Sequence, residues 1–216
     1  MNYVTGWCVI KNQTVVKNGK VMASLPDYTE HYLIGLYEAL RINYPKFYKM
    51  DNLCRLGFLA AEVLLEGSEL LSRYTSEQTG VILSNKHACL DTDFHYHQTM
   101  PDAPSPSVFV YTLPNIVIGE ISIRHKLKGE NAFFISGQFD ADFMHNYVEL
   151  LLNNKILDCC LCGWIDLLQH AHEAFLYLVE KSPGGTALPH QIESIKHLKQ
   201  YGTIDAGSES PDYRTT

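Results

Sequence analysis

The sequence predicts an α/β fold in which a mixed β-sheet is layered with α-helices. Two observations carry that expectation. Short apolar runs of strand length, such as "TGVILS" at 79–84, recur between longer segments whose apolar residues repeat at helical spacing. The composition is that of an ordinary globular chain, with 46% hydrophobic and 19% charged residues over 216 positions, enough for one domain with a substantial core. A net charge of −7 argues against a general nucleic-acid binder. No apolar run reaches membrane-spanning length, and "MNYVTGWCVIKNQ" lacks the regions of a signal peptide. The six cysteines mostly sit inside apolar runs, where buried, reduced thiols are expected, so the sequence reads as a cytoplasmic protein without disulfides.

The elements follow in order. "YVTGWCVI" is β-like. "LPDYTEHYLIGLYEALRINYP" reads as a helix with Asp27 and Glu30 at capping-box spacing, a stripe of Leu33, Leu36, Tyr37 and Leu40, and Pro45 beyond its end. In "MDNLCRLGFLAAEVLLEG", Leu53, Leu56, Ala60, Val63 and Leu64 face one way and Gly67 suits the C-terminal cap. After the strand "TGVILS", the stretch "HQTMPDAPSPS" is rich in proline and small polar residues and predicts an exposed loop. "LPNIVIGEISIRHKLKG" reads as a helix that Asn115 can cap. Its apolar residues run nearly all round, which predicts burial on most sides, and Gly119 in its middle predicts a close backbone neighbour. A strand at 132–136, a helix at 140–153 and the apolar strand "ILDCCLCGWI" come next, then a mixed segment to Glu180. Residues 1–200 are expected to form the domain and 201–216 a polar tail.

Between the strand at 132–136 and the helix at 140 lies a sharp elbow, Ser136-Gly137-Gln138. Such elbows often carry a nucleophile, because a helix N-terminus stabilises developing negative charge. Glutamine cannot serve as one. Ser136 beside it lacks the G-x-S-x-G pattern of a hydrolase, and the sequence identifies no base for it.

Four stretches together resemble the N-terminal half of a β-ketoacyl synthase, the thiolase-fold condensing enzyme of fatty-acid and polyketide assembly. They are "YKMDNLCRLGFLAAEVLL", "TGVILSNKHACLDTDF", "SPSVFVYTLPNIVIGEISIRHKLKGEN" and "KILDCCLCGWIDLL". The third is the most specific, since Leu113-Pro114-Asn115, Gly119-Glu120-Ile121 and Leu127-Lys128-Gly129 all stand at the family's spacing. The resemblance covers roughly residues 1 to 180 and implies one thiolase-like half-fold with helices on both faces of the sheet. It places the family's nucleophilic cysteine at Gln138, and the second half, which supplies the family's other catalytic side chains, has no counterpart here. A thioester needs a thiolate, and an amide can only donate and accept hydrogen bonds. Glutamine at this elbow resembles the chain length factor of type II polyketide synthases, the inactive partner of a competent ketosynthase. The short form resembles synthase-like proteins of aryl-polyene pathways.

The resemblance implies no catalytic residue, no cofactor and no metal. It implies a dimer seam along Asn131, Phe133, Phe134, Ile135 and Ser136, where apolar strand character would continue a sheet across two subunits. It implies an acyl tunnel walled by Phe109, Tyr111, Leu113 and Ile116, for which ordinary core packing is the alternative. It also implies docking of an acidic acyl carrier protein at Lys46, Lys49 and Arg55, against the alternative of a normal exposed helix start; "RHKLK" is a second basic patch with the same two readings. The partners expected are a full-length ketosynthase, or a second copy of this chain, and an acyl carrier protein. Two other functions stay open: a decarboxylase or acyl-transfer enzyme using the Gln138 pocket, and a self-associating acyl-binding scaffold.

Three further groupings are weighed. In "DTDFHYH", Asp91, Asp93, His95 and His97 would share a side if extended, as a metal cluster requires, but the resemblance makes the segment a loop entering a helix, which scatters them. "DCCLC" puts Cys160 and Cys162 on one face of a strand and Cys159 on the other, with no second cysteine pair to complete a site. The histidines of "QHAHEAF" would diverge on a helix.

Overall fold

A computed structural model describes residues 1–25, 32–101, 103–181 and 187–201. The chain opens with three antiparallel strands, β1 (Tyr3–Lys11), β2 (Thr14–Lys17) and β3 (Lys20–Ser24). Tight turns join them, at Asn12-Gln13 and at Asn18-Gly19, and all four turn residues have positive φ. Asn and Gly tolerate that conformation, and it matches the twist of a hairpin. The Asn-Gly pair was therefore a hairpin signal lying in plain view beyond the single strand read from the sequence.

Helices α1 (Tyr32–Ala39), α2 (Asn52–Leu65) and the single turn α3 (Leu70–Arg73) follow. The predicted capping box of α1 lies outside the described residues. The helix stops earlier than its sequence suggests, at Ala39: Arg41 turns left-handed at φ 53°, and a separate 3-10 turn follows over Pro45–Lys49. In α2, the carboxylate of Asp51 accepts from Cys54 N at 2.9 Å, capping its first turn. Gly67 ends it with φ 68°, as expected of a residue placed just beyond a helix C-terminus. Its predicted stripe is buried throughout.

Next come β4 (Thr79–Asn85), α4 (Leu90–Thr99), the short α5 (Pro106–Phe109) and α6 (Ile116–His125). Because α4 covers Asp91 to His97, their side chains fan around the helix and do not gather. The helix also takes in Gln98 and Thr99, so the exposed loop is shorter than predicted and gives way to α5 at Pro106. Asn115 sits at the start of α6 without a side-chain capping bond. Two expectations about α6 are corrected. Its outer side is open, with Ile123 64% exposed, and a Cβ built on Gly119 would meet no atom within 4 Å. The apolar character that suggested all-round burial covers a single inner stripe, Val117, Ile118 and Ile121, and leaves the opposite side uncovered within this chain.

The remaining elements are β5 (Asn131–Ile135), α7 (Ala141–Asn153), β6 (Cys159–Leu168), β7 (Ala171–Glu180), β8 (Leu188–Pro189) and α8 (Ile192–Tyr201). The mixed segment thus resolves into a long hairpin, β6–β7, turning at Gln169-His170, which puts His172 on a strand and not on a helix. The sheet runs β3-β2-β1-β7-β6-β4-β5, with β8 added beside β1. Strands β4, β5 and β6 are parallel and the others antiparallel, so the sheet is mixed as predicted.

Helices cover both faces. Against α1, α2 and α6 the sheet turns Cys8, Ile10, Val81, Leu83, Leu161, Leu176 and Cys159. Against α7 and α8 it turns Val9, Ile82, Cys160, Cys162, Trp164, Phe175 and Tyr177. The split of Cys159 from Cys160 and Cys162 is the predicted one. Burial on both faces explains why β4 and β6 read as continuous apolar runs without alternation. Two glycines allow close approaches, one between helices and one between neighbouring strands. A Cβ on Gly57 would stand 2.4 Å from Val117 Cγ2, where α2 meets α6. Gly163, at φ 149°, lets β6 approach the Phe175 carbonyl, which a Cβ would meet at 2.0 Å.

Candidate functional site: an elbow at an open sheet edge

The three parallel strands end on one side of the sheet, the side where open α/β sheets place their ligand crevices. β4 delivers Asn85, whose buried amide bridges to Ala88 in both directions, at 2.7 and 2.9 Å. β6 delivers Asp166, which accepts from the backbone N–H groups of Lys86 and His87 at 3.0 Å each and pairs with His87 Nδ1 at 2.8 Å. β5 delivers the elbow. Ser136 N donates to Asn85 O at 2.9 Å, which fastens the bend to the end of β4. The Asp140 carboxylate accepts from Phe143 N at 2.9 Å and caps α7. Beneath the bend, Phe139 packs edge-on against Phe175 and Trp164.

Gln138 is exposed at the tip of this elbow. Its carbonyl accepts from Ser136 Oγ at 2.8 Å, so that hydroxyl is drawn into the turn and is not poised as a nucleophile. Thiolate chemistry has no candidate either. All six cysteines are free and buried. Burial pushes the Cys8 thiol up to about 12 and the Cys89 thiol up to about 11, the latter aided by Asp93, and raises Cys54, Cys159 and Cys162 well above the ordinary range. The elbow therefore offers hydrogen bonds and no covalent chemistry.

The seam residues lie on the last strand of the sheet. β5 pairs only with β4 among the described strands. Glu130 O accepts from Val81 N and Ser136 N donates to Asn85 O, and in a parallel ladder the bonding residues alternate. The backbone groups of Asn131, Phe133 and Ile135 therefore point outward along an open edge. Side chains divide differently. Phe133 packs into the core beside α2 and α6, and Phe134 meets Phe143 and Tyr147 of α7 at ring separations of 4.8 and 5.1 Å. Asn131 is exposed and Ile135 is 53% exposed. What the edge offers outward is its backbone, Asn131 and Ile135.

The four tunnel residues also divide. Tyr111 and Ile116 are half-buried against the core, and Tyr111 Oη donates to Glu120 at 3.3 Å. Phe109 and Leu113 are 54% and 50% exposed, next to exposed Val110. With Phe94 of α4 and Met100 just beyond it, also exposed, they give this chain an uncovered apolar surface of the kind that marks an interaction face.

The three basic residues are unequal. Lys46 Nζ stands 2.7 Å from the buried carboxylate of Glu120. Arg55 wraps the 3-10 turn, donating to Tyr48 O at 3.0 Å, with its guanidinium over the Phe47 ring. Both have structural work within the chain, and Lys49 is the exposed one. In the second patch, Arg124 and His125 are drawn onto Glu62 and Lys128 lies 3.6 Å from Glu77. A groove of about 420 Å³ beside that cluster is lined by polar groups, among them Arg41, Asn43 and Glu66.

No family model matches the chain, and no curated protein matches its sequence. Solved structures do. The ishigamide ketosynthase/chain length factor aligns with a TM-score of 0.62 at 18% identity, covering 84% of this chain and 62% of that one. The ketosynthase ApeO in complex with its chain length factor ApeC, from Xenorhabdus doucetiae, aligns at 0.58 and 13% identity over 95% of this chain and 93% of the other. The type II polyketide synthase complex AntDE:AntF, an acyl carrier protein with its ketosynthase bound to the hexaketide, aligns at 0.59 and 17% identity, over 83% and 62%. The chain thus has the fold of the ketosynthase and chain length factor structures, the thiolase-like α/β fold expected from its motifs. It spans about 62% of the ishigamide and AntDE:AntF chains it matches, and the near-equal shares with the Xenorhabdus chain mean near-equal lengths. Among the described residues no single helix is long and apolar enough to cross a membrane; Pro106–Thr112 and Ile116–His125 reach that length together but meet at 95°.

Proposed function

We propose that this chain is a non-catalytic, chain-length-factor-like subunit. It pairs with a full-length ketosynthase in type II polyketide or fatty-acid assembly, of the aryl-polyene kind. The observation that carries the reading is the elbow: a glutamine stands at its tip, the position that the resemblance gives to the condensing thiolate, on a strand whose outer edge pairs with no described strand. The fold shared with ketosynthase and chain length factor complexes supports it. So does the uncovered apolar surface of Phe109, Val110 and Leu113.

Its work is steric. β5 pairs across the seam through Asn131, Phe133 and Ile135, and Phe134 and Ser136 hold the edge in place from within. Phe109, Tyr111, Leu113 and Ile116 close the far end of the partner's acyl tunnel and limit how far a chain grows. An acyl carrier protein brings the growing chain, and Lys49 is the basic residue free to meet it. Residues 1–200 act as the subunit's domain. Six unpaired cysteines suit the reducing cytoplasm as the compartment.

Co-expression with the ketosynthase encoded beside this chain tests the proposal. The two should co-migrate as a one-to-one complex on a sizing column at micromolar concentration. Separate migration overturns it.

A further inference from the structure

Away from the elbow, on the opposite flank of α7, the fold gathers three side chains that no pattern in the sequence connects. His145 and Glu149 lie one helical turn apart on α7. His190 arrives from the residue after β8, anchored by His190 N donating to Asn2 O at 2.9 Å. One donor atom from each of the three lies within 4.8 Å of the others. The two imidazole rings stand 4.8 Å apart.

The polar accounting there does not close. His190 is 4% exposed, and its Nδ1 donates to Glu149 Oε1 at 2.8 Å. That bond puts the ring's proton on Nδ1 and leaves the lone pair on Nε2, which is buried without a hydrogen-bond partner. His145 Nδ1 is buried and unpartnered as well. Orphaned buried nitrogens are uncommon, and the His145 ring stands beside an imidazole and a carboxylate that already share a proton. Glu149 accepts from His190, Asn2 and Asn153. Neutral imidazole and carboxylate are the metal-binding forms of these groups.

We propose that His145, Glu149 and His190 bind a divalent cation of the zinc class, one donor atom from each, the ion displacing the proton that joins His190 Nδ1 to Glu149 Oε1, with water completing four-coordination. Two imidazoles and a carboxylate suit zinc, and a modest closing of the three donors brings them to bonding distance. Asn2 and Asn153, each holding the Glu149 carboxylate at 2.9 and 3.1 Å, fix its orientation from outside the ligand set. The ion fastens the segment carrying β8 and α8 to α7, the helix that leaves the elbow.

The test uses the full chain, stripped with chelator and titrated with Zn²⁺ by calorimetry, with Co²⁺ as a spectroscopic stand-in. The expected result is one ion per chain, visible bands of four-coordinate Co²⁺, and a thermal midpoint raised by about 5 °C at saturating Zn²⁺. His145→Ala and Glu149→Gln should each weaken binding by about 100-fold while staying folded by circular dichroism. His190→Ala is the less useful variant, because His190 is buried and its loss can unfold the chain. His95→Ala/His97→Ala, on the exposed side of α4, should bind as the parent does. Failure to bind at one-to-one stoichiometry overturns the site, and so does binding that survives both His145→Ala and Glu149→Gln.

Discussion

Glu62 accepts from Nε and Nη2 of Arg124 at 2.8 and 2.9 Å, with His125 Nε2 3.0 Å from the same carboxylate. Burial alone would raise its pKa, but the bonds from Arg124 and His125 outweigh it and hold the carboxyl at about 2, against an ordinary 4.5. A carboxyl depressed in the folded state contributes stability that is fully present above its unfolded value and is lost as pH falls toward the folded one. Glu62→Gln should therefore cost about 1–2 kcal/mol above about pH 5, the part-buried site screening the pair, and this gap should shrink below that and close only near about pH 2. Urea denaturation across that range measures it; a gap independent of pH refutes the assignment. Lys46 makes the same kind of point. Lys46→Ala leaves Glu120, 5% exposed, with only the Tyr111 hydroxyl, and should destabilise the chain by about 2 kcal/mol in the same assay. A carrier-docking lysine with no partner inside the chain would show almost no loss. At this scale the sequence was informative where one residue type excludes a chemistry, as glutamine does at position 138. It was silent where function needs distant residues: His190 stands 41 positions from Glu149, and only the pairing of β8 with β1 brings them together.

Among the elements, β5 is the strand that keeps its side chains engaged while leaving one backbone edge open. Its core-facing phenylalanines are secured by α7 on one face and by α2 and α6 on the other, while its outer N–H and C=O groups meet no strand of the described chain. Ile135→Pro removes one outward N–H and an exposed side chain, and spares the ladder to β4, whose bonds alternate with it. The expected outcome is a thermal midpoint within about 3 °C of the parent and at least about tenfold weaker binding to the co-expressed ketosynthase. Unchanged binding would remove β5 from the seam. Elements with one strong period were legible beforehand: α2, β4 and α7 fall within a residue or two of their predicted ends. α6 was read correctly as a helix and incorrectly as enclosed, because apolarity records what a surface can be buried against and not whether the neighbour belongs to the same chain. β7 was missed because "QHAHEAF" starts polar at the hairpin turn, and its apolar half reads as strand only once paired with β6.

For the whole molecule, the α/β layering followed from the alternation of periods, but the strand order did not, since β1 and β7 pair across most of the chain's length. Charge acts at this scale too. A chain of net −7 repels an acidic carrier protein at long range, so docking needs a local positive feature. The structure narrows the field for it. Lys46 is neutralised by Glu120, Arg55 is spread over the turn at Phe47 and Tyr48, and Lys49 alone of the three stands exposed, at the end of the 3-10 turn before α2, without a described ion pair. Charge reversal there should act on encounter and not on fold. In the assembled pair, Lys49→Glu should slow carrier-protein association by about three- to tenfold at low ionic strength, and the difference should fade as the Debye length shrinks to about 3 Å near 1 M salt. Stopped-flow fluorescence with labelled carrier protein reads both quantities. If the rate is unaltered at low salt, the carrier approaches by another face and the basic residue is an ordinary solvated helix start.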